Sequence, residues 1–331
     1  MITWLPQPAT RHFGRQAGAR ASALHRLAIA AAMLSVCLGA VAARSAGLGG
    51  TWASPGGTSA KSPAEAQAAA DTIWQDSFAG GQPRRADWSR CAQPWDDTVG
   101  QCSALQAGPG EEIYWNPGVM RGGRDPVVPA DQGGISLLAR PIIAGERVLI
   151  ARAVARQADL PPHTRDVLQG AGWTSAWLQS RPSFPVGTTV SAMLRPGAGA
   201  SAWGGLWMLN DPAHRRWPPE IDVAEITNDP DGRMRVRQVI HYRDGAGQLR
   251  TAGCPHAIMP RGWIVAAVTR LPHEIRFSLN GAEHCRIAAP DGFDDPMTII
   301  VSQQVGGLAA PSTAATAPFA LDLRWVRVTR A

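Results

Sequence analysis

Lysine is all but missing from this chain of 331 residues: Lys61 stands alone against 31 arginines. So complete a bias is a compositional habit, of the kind a GC-rich genome leaves, and no arginine is read as a ligand from frequency alone. Acidic residues are missing from the first 46 positions, where Arg11, Arg15, Arg20, Arg26 and Arg44 lie; without them the formal charge of +6 falls to +1. The basic pI therefore gives no argument for a nucleic-acid partner. Cysteine is scarce, at five residues. No Cys and His pair is spaced as a nucleophile with its base, and no set is spaced as a zinc site, so neither thiol catalysis nor structural zinc is implied. No period of roughly 20 to 50 residues recurs, which excludes a repeat protein. Candidate helices are few; Glu146 through Gln157 is the best of them, and it also reads partly as strand.

Three segments differ in composition. In residues 1–46, basic residues lead into the apolar run Leu27 to Ala43 and then into small residues, the layout of an export signal. The run is near the lower limit for a membrane span, so an uncleaved inner-membrane anchor is the alternative. Cys37 follows Val36, where a lipoprotein site would have a small residue, and belongs to the apolar run. Residues 47–71 are rich in Gly, Ser, Ala and Pro and read as a linker. Residues 72–331 hold the folded domain, long enough to bury a core without metals. An exported chain meets an oxidising compartment, and four cysteines remain there, Cys91, Cys102, Cys254 and Cys285. They are expected to form two disulfides, with Cys91–Cys102 and Cys254–Cys285 favoured among three connectivities.

Within the domain, Gly134 to Leu138, Val190 to Leu194, Met234 to Ile240, Ile275 to Leu279 and Thr298 to Val301 are short apolar runs divided by Gly, Pro and Asp clusters. This pattern predicts an all-β antiparallel sandwich. Thirteen tryptophans against two tyrosines is a second bias. Trp173, Trp177, Trp203, Trp207 and Trp217 all precede an acidic segment, and indole rings stack on the apolar faces of sugars as readily as they fill a core.

That segment is Glu220-Ile221-Asp222-Val223-Ala224-Glu225. Side chains on a strand alternate, so Glu220 and Asp222 share one face while Ile221 and Val223 take the other. Glu225 joins the acids only if a β-bulge inserts one extra residue before it. Paired carboxyl groups on one face are what glycosidic hydrolysis requires, one as nucleophile and one as acid and then base.

The hexapeptide resembles the active-site signature of glycoside hydrolase family 16 in its bulged, laminarinase-like form. Gly204-Gly205-Leu206-Trp207-Met208-Leu209 is similar to the family's tryptophan strand. Val239-Ile240-His241-Tyr242 is similar to its His-Tyr strand, and Ile299 to Gly307 with Arg324-Trp325-Val326-Arg327-Val328 to its last two strands. The resemblance implies a β-jelly roll of two curved antiparallel sheets, concanavalin A-like, with the cleft on the concave one. It makes Glu220 the nucleophile, Glu225 the acid/base and Asp222 the residue that holds Glu220. Trp203, Trp207, Trp217 and His241 are then candidates for sugar contact. Where the family has a polar strand, Gly187-Thr188-Thr189-Val190-Ser191-Ala192 carries small neutral residues, so sugar contacts differ from a standard laminarinase. Arg324 stands where the family commonly has an Asp tied to calcium; Asp322 is near, so a structural calcium stays open, and no cofactor is expected.

The activity so implied is that of a secreted or periplasmic retaining endo-β-glycanase. It would act as a monomer on a glucan or bacterial exopolysaccharide, and needs no nucleic-acid partner. An acidic glycan is one option, because His214, Arg215, Arg216, Arg233, Arg235, Arg237 and Arg243 flank the acids; ordinary surface arginine is the other. The alternatives are a transglycosylase on the same scaffold, a non-catalytic carbohydrate-binding protein, and an anchored envelope scaffold.

Overall fold

In the computed structural model of the protein, the described residues are 71–91, 105–115, 118, 120–157, 162–211, 217–229, 231–312 and 317–331. The expected leader, the linker as far as residue 70, Cys102 and the His214-Arg215-Arg216 cluster lie outside them. In chain order the strands are β1 (Thr72–Asp76), β2 (Trp88–Ser89), β3 (Gln106–Ala107), β4 (Glu112–Tyr114), β5 (Val127–Pro129) and β6 (Ile135–Pro141). Helices α1 (Ala144–Arg156) and α2 (Pro162–Gly170) follow. Then come β7 (Trp173–Ser175), β8 (Trp177–Ser180), β9 (Thr188–Pro196), β10 (Ala202–Asn210), β11 (Glu220–Asn228), β12 (Met234–Arg243) and β13 (Leu249–Gly253). The chain closes with β14 (Ala257–Met259), β15 (Ile264–Leu271), β16 (Glu274–Leu279), β17 (Ala282–Ala288), β18 (Met297–Val305) and β19 (Phe319–Arg330).

These strands form two sheets, antiparallel except where β4 pairs with β7. One has eleven strands, in the order β17-β16-β15-β9-β19-β6-β7-β4-β3, with β1 on β19 and β5 on β6. The other has eight, in the order β13-β12-β11-β10-β18-β8-β2, with β14 also on β12. The jelly-roll sandwich expected from the sequence is what is found. Alternation drives it: along β9, Val190, Ala192 and Leu194 are buried while Thr189, Ser191 and Met193 are half-exposed. Inward rows from both sheets, including Leu206, Met208, Ile221, Val223, Ile226, Ile299 and Val301 opposite Val190, Val268, Phe277, Leu321 and Val326, make one core.

Helix α1 matches the expected stretch to within two residues. Glu146 at its third position accepts a hydrogen bond from the Ile143 backbone N–H at 3.2 Å, which caps the helix N-terminus. Helix α2 was not expected. Its sequence, PHTRDVLQG, is short and mostly polar, but Leu168 is fully buried in a separate small core with Leu105, Ile113, Trp115, Met120, Ile150, Ala153 and Val154. Tertiary packing, more than intrinsic propensity, makes it a helix. No described helix is long and apolar enough to cross a membrane.

Of the two expected disulfides, Cys254–Cys285 is formed, with 5.7 Å between Cα atoms. It joins the end of β13 in the eight-stranded sheet to β17 in the eleven-stranded one. Cys91 is a half-cystine.

Candidate active site

The acids lie on β11, whose pairing with β12 runs Glu220 to His241, Asp222 to Val239 and Glu225 to Arg237. Between the last two pairs, Val223 and Ala224 oppose Gln238 alone. This is the bulge that the spacing requires: Val223 and Ala224 both turn into the core, and Glu225 returns to the outer face with Glu220 and Asp222.

A residue that the sequence did not flag holds the bulge. Gln238 is fully buried, and its Nε2 donates to the Val223 carbonyl at 2.8 Å. Its Oε1 lies 2.7 Å from Nδ1 of His284 on β17, which fixes the amide orientation. A bulge leaves a backbone group without its ladder partner, and a buried side-chain amide satisfies it. The available signal was a polar residue at an inward position of β12, amid Val236 and Ile240.

The acids form one connected set. The Trp217 indole N–H donates to Glu220 Oε2 at 2.7 Å, and Glu220 hydrogen-bonds Asp222. His241 Nε2 lies 3.2 Å from Asp222 Oδ2, and its Nδ1 is 2.9 Å from Thr251 Oγ1 on β13. Arg237 approaches Glu225 Oε2 to 3.3 Å, an ion-pair distance without hydrogen-bond alignment. Burial pushes Glu220 well above the usual carboxylate range, and the Asp222 charge adds to it. Burial also raises Asp222, reinforced by the Glu225 charge. Glu225 is raised by burial too, with Arg237 and His241 opposing. All three directions agree that the set retains protons at pH values where a solvated trio would be fully ionised.

Ligand atoms of Glu220, Asp222 and His241 lie within 4.8 Å of one another, close enough to grip a cation. The Trp217 N–H and the Glu220–Asp222 hydrogen bond account for that closeness through donors already in the chain. On the other sheet, β19 carries Asp322. It accepts from Arg195 Nε and Nη2 at 2.9 and 2.6 Å and from the Ser136 hydroxyl. A guanidinium thus occupies the carboxylate near Arg324, the position that the resemblance would associate with calcium, and the residues there do not fit a cation.

All four candidate contact residues lie beside the acids. Trp207 pairs with Asp222 across β10 and β11 and donates to Ser302 Oγ at 3.0 Å. Trp203 stands four pairs further along, opposite Thr227; a side chain at Gly307, whose φ is +64°, would meet its ring at 2.5 Å. Trp217 and His241 have ring centroids 6.4 Å apart next to Glu220. Each of the four is partly exposed. By contrast Trp173 is buried against Phe319, with centroids 5.1 Å apart, and Trp177 is buried on the acid-bearing side of β8. Of the four described arginines that flank the acids, Arg235 has Asp229 at 3.0 Å and Arg237 has Glu225. Elsewhere, Glu112 on β4 is fully buried, accepts from the Val305 N–H at 2.9 Å, and is raised by burial from 4.5 to about 7.

No protein-family model matches the chain. A stretch of 113 residues is 30% identical to the endo-1,3-1,4-beta-glycanase EglC of Rhizobium meliloti (strain 1021), covering 34% of this chain and 23% of that one. Another, of 107 residues, is 27% identical to the endo-1,3-1,4-beta-glycanase ExsH of the same organism, covering 32% and 22%. The matches therefore span less than a quarter of these curated relatives. Among solved structures, LamAcat from Zobellia galactanivorans superposes with a TM-score of 0.56 at 14% identity, over 80% of this chain and 100% of that one. The endo-beta-1,3-glucanase from Pyrococcus furiosus gives 0.53 at 19% identity, over 78% and 94%. At such identities the solved structures speak for the fold alone. The chain thus shares its fold with these glucanases and a stretch of sequence with the two curated glycanases, and its acid strand carries the bulge between Asp222 and Glu225.

Proposed function

We propose that the chain is an exported retaining endo-β-glycanase that hydrolyses internal bonds of a β-linked glucan or related bacterial polysaccharide. The observation that carries this reading is the bulge between Asp222 and Glu225, which sets three carboxylates on one open sheet face. Glu220 and Glu225 are four residue steps apart along β12, about 13 Å at the usual strand rise. Two Glu side chains leaning toward each other narrow that gap toward the roughly 5 to 5.5 Å that retention uses.

Each residue then has a step. Glu225 gives its proton to the glycosidic oxygen while the Glu220 carboxylate attacks the anomeric carbon, so the leaving chain departs and a glycosyl ester forms. Glu225 next takes a proton from water, which attacks the same carbon and frees Glu220. Glu220 must be ionised for the first step, and Asp222 takes the proton the two share, with His241 against its Oδ2. The Trp217 N–H holds one Glu220 oxygen so that the other faces the sugar. Trp207 and Trp203 offer partly exposed indole surface along the same face. The pairing of Arg235 and Arg237 with acids favours a neutral glycan over an anionic one.

Time-resolved NMR of the product anomer is the test, run across β-1,3, mixed-linkage, galactan and acidic bacterial polysaccharides. A β-anomer formed first supports the double displacement. First appearance of the α-anomer would sink the covalent intermediate, and binding without cleavage of any polysaccharide would sink the enzyme reading. In Glu225→Ala, a loss of about 10²- to 10⁴-fold is expected. Azide should partly restore turnover on a substrate with a good leaving group and give a β-glycosyl azide.

A further inference from the structure

The acid-bearing face is not equally open on its two sides. Strand pairing lays its residues out in rows that cross the sheet. One row runs Trp177 on β8, Ser302 on β18, Gly205 on β10, Glu225 on β11 and Arg237 on β12. The next runs Gln179, Ile300, Trp207, Asp222, Val239 and, on β13, Gly253. A third runs Thr298, Leu209, Glu220, His241 and Thr251. Over β8 and β18 every member is buried: Ile300 and Ser302 are 0% exposed, Gln179 and Thr298 1%, and Trp177 4%. Over β10 and β12, Trp207, Leu209, Arg237 and His241 are partly exposed while Gly205 and Val239 are buried, and on β13 Thr251 and Gly253 are exposed.

The closed side has a builder. Tyr114 on β4 is itself buried and packs edge-on against Trp177, with centroids 4.9 Å apart. Trp177 in turn meets Trp207 edge-on at 5.0 Å. Gln304 ties the stack to the floor, donating to the Tyr114 hydroxyl at 3.2 Å and to Ser302 Oγ at 2.9 Å. Strand β4 belongs to the other sheet, where it pairs with β7, and reaches this face only because the chain crosses from β7 to β8 between the sheets.

Glu220 and Glu225 are separated along β11, and a glycan cut between them passes across the strands. We infer that its cleft has arms of unequal length: a short arm over β10, stopped by the Tyr114, Trp177 and Gln304 wall, and a long arm over β12 and β13 that runs off the free sheet edge. Strands are about 4.8 Å apart, close to the length of one hexose unit. The short arm therefore seats one sugar unit, two at most, before the chain ends or lifts off the sheet. The long arm seats two and lets the chain continue into solvent. Tyr114 and Trp177 are specificity-determining residues that set where along a chain the cut falls.

This inference rests on the glycanase reading and has its own test. The full chain is given a β-1,3-glucan hexasaccharide and a mixed-linkage β-1,3-1,4-glucan hexasaccharide, each labelled at the reducing end, and initial cleavage sites are read by mass spectrometry. The expected result is a cut one or two units from one end, always the same end. It should be favoured over the central bond by about tenfold, the factor that ~1.4 kcal/mol of subsite binding gives. In Tyr114→Ala the preference should fall several-fold, with cuts moving toward the centre. A preferred central cut in the unaltered protein overturns the unequal arms while leaving the glycanase reading intact. An unchanged pattern in a folded Tyr114→Ala overturns the wall. Cleavage of neither hexasaccharide overturns the arms together with a glucan-directed activity.

Discussion

Glu220 sits where its chemistry is useful and its charge is unwelcome. Burial first, and then the neighbouring Asp222, raise it, so the folded state binds protons that the unfolded chain has released. With folded values above unfolded ones, stability is highest at and below the ordinary carboxylate range and falls as pH rises through the raised values. Glu220→Gln removes that penalty. It is expected to abolish cleavage while raising the unfolding midpoint at pH 7 to 8, with the gain disappearing near pH 4, about the ordinary Glu value. Thermal melts at both pH values check it, and a variant less stable at pH 7 would show that the hydrogen bonds from Trp217 and to Asp222 outweigh the buried charge. The residue types at this site were legible from the hexapeptide alone, because alternation is a property of any strand. How strongly burial raises them was not, since it depends on Trp217, Trp207 and β12, which only the fold brings together.

The bulge is the smallest element on which the site depends. Five-residue spacing between Glu220 and Glu225 demanded it, but nothing in the hexapeptide says what keeps it from straightening. The structure answers with Gln238, buried opposite Val223 and Ala224 and bonded to the Val223 carbonyl. Gln238→Leu leaves that carbonyl unsatisfied, at a cost of about 1 to 3 kcal/mol. Denaturation should show that loss, and kcat should fall more than KM rises, because Glu225 is re-aimed while the sugar contacts remain. A variant with lost stability and an unchanged kcat would reduce Gln238 to a core residue. Helix α2 is the complementary case: its polar sequence carries little signal, and Leu168 finds its burial in partners up to 63 positions away in Leu105.

Across the whole molecule, the sheets are joined at one edge by Cys254–Cys285, which closes a loop of 31 residues. A chain-entropy estimate for such a loop is roughly 3.5 to 4 kcal/mol. Replacing both cysteines with alanine should lower stability by up to that amount in chemical denaturation, with activity retained under native conditions. A loss of activity with the fold intact would mean that the bridge also holds β13 and the long arm in place. The pairing was readable as the more local option among the late cysteines. The sandwich was readable too, since short alternating strands cut by Gly, Pro and Asp leave few other ways to bury their apolar faces. What the sequence by itself determined is local: which residues alternate, where the acids share a face, and that a bulge must lie between Asp222 and Glu225. Only the tertiary structure decided that Gln238 bolts the bulge, that Arg195 holds Asp322, and that Tyr114 closes one side of the acid-bearing face. Each of those contacts joins strands distant in sequence, and no periodicity along a chain records which strands will lie against each other.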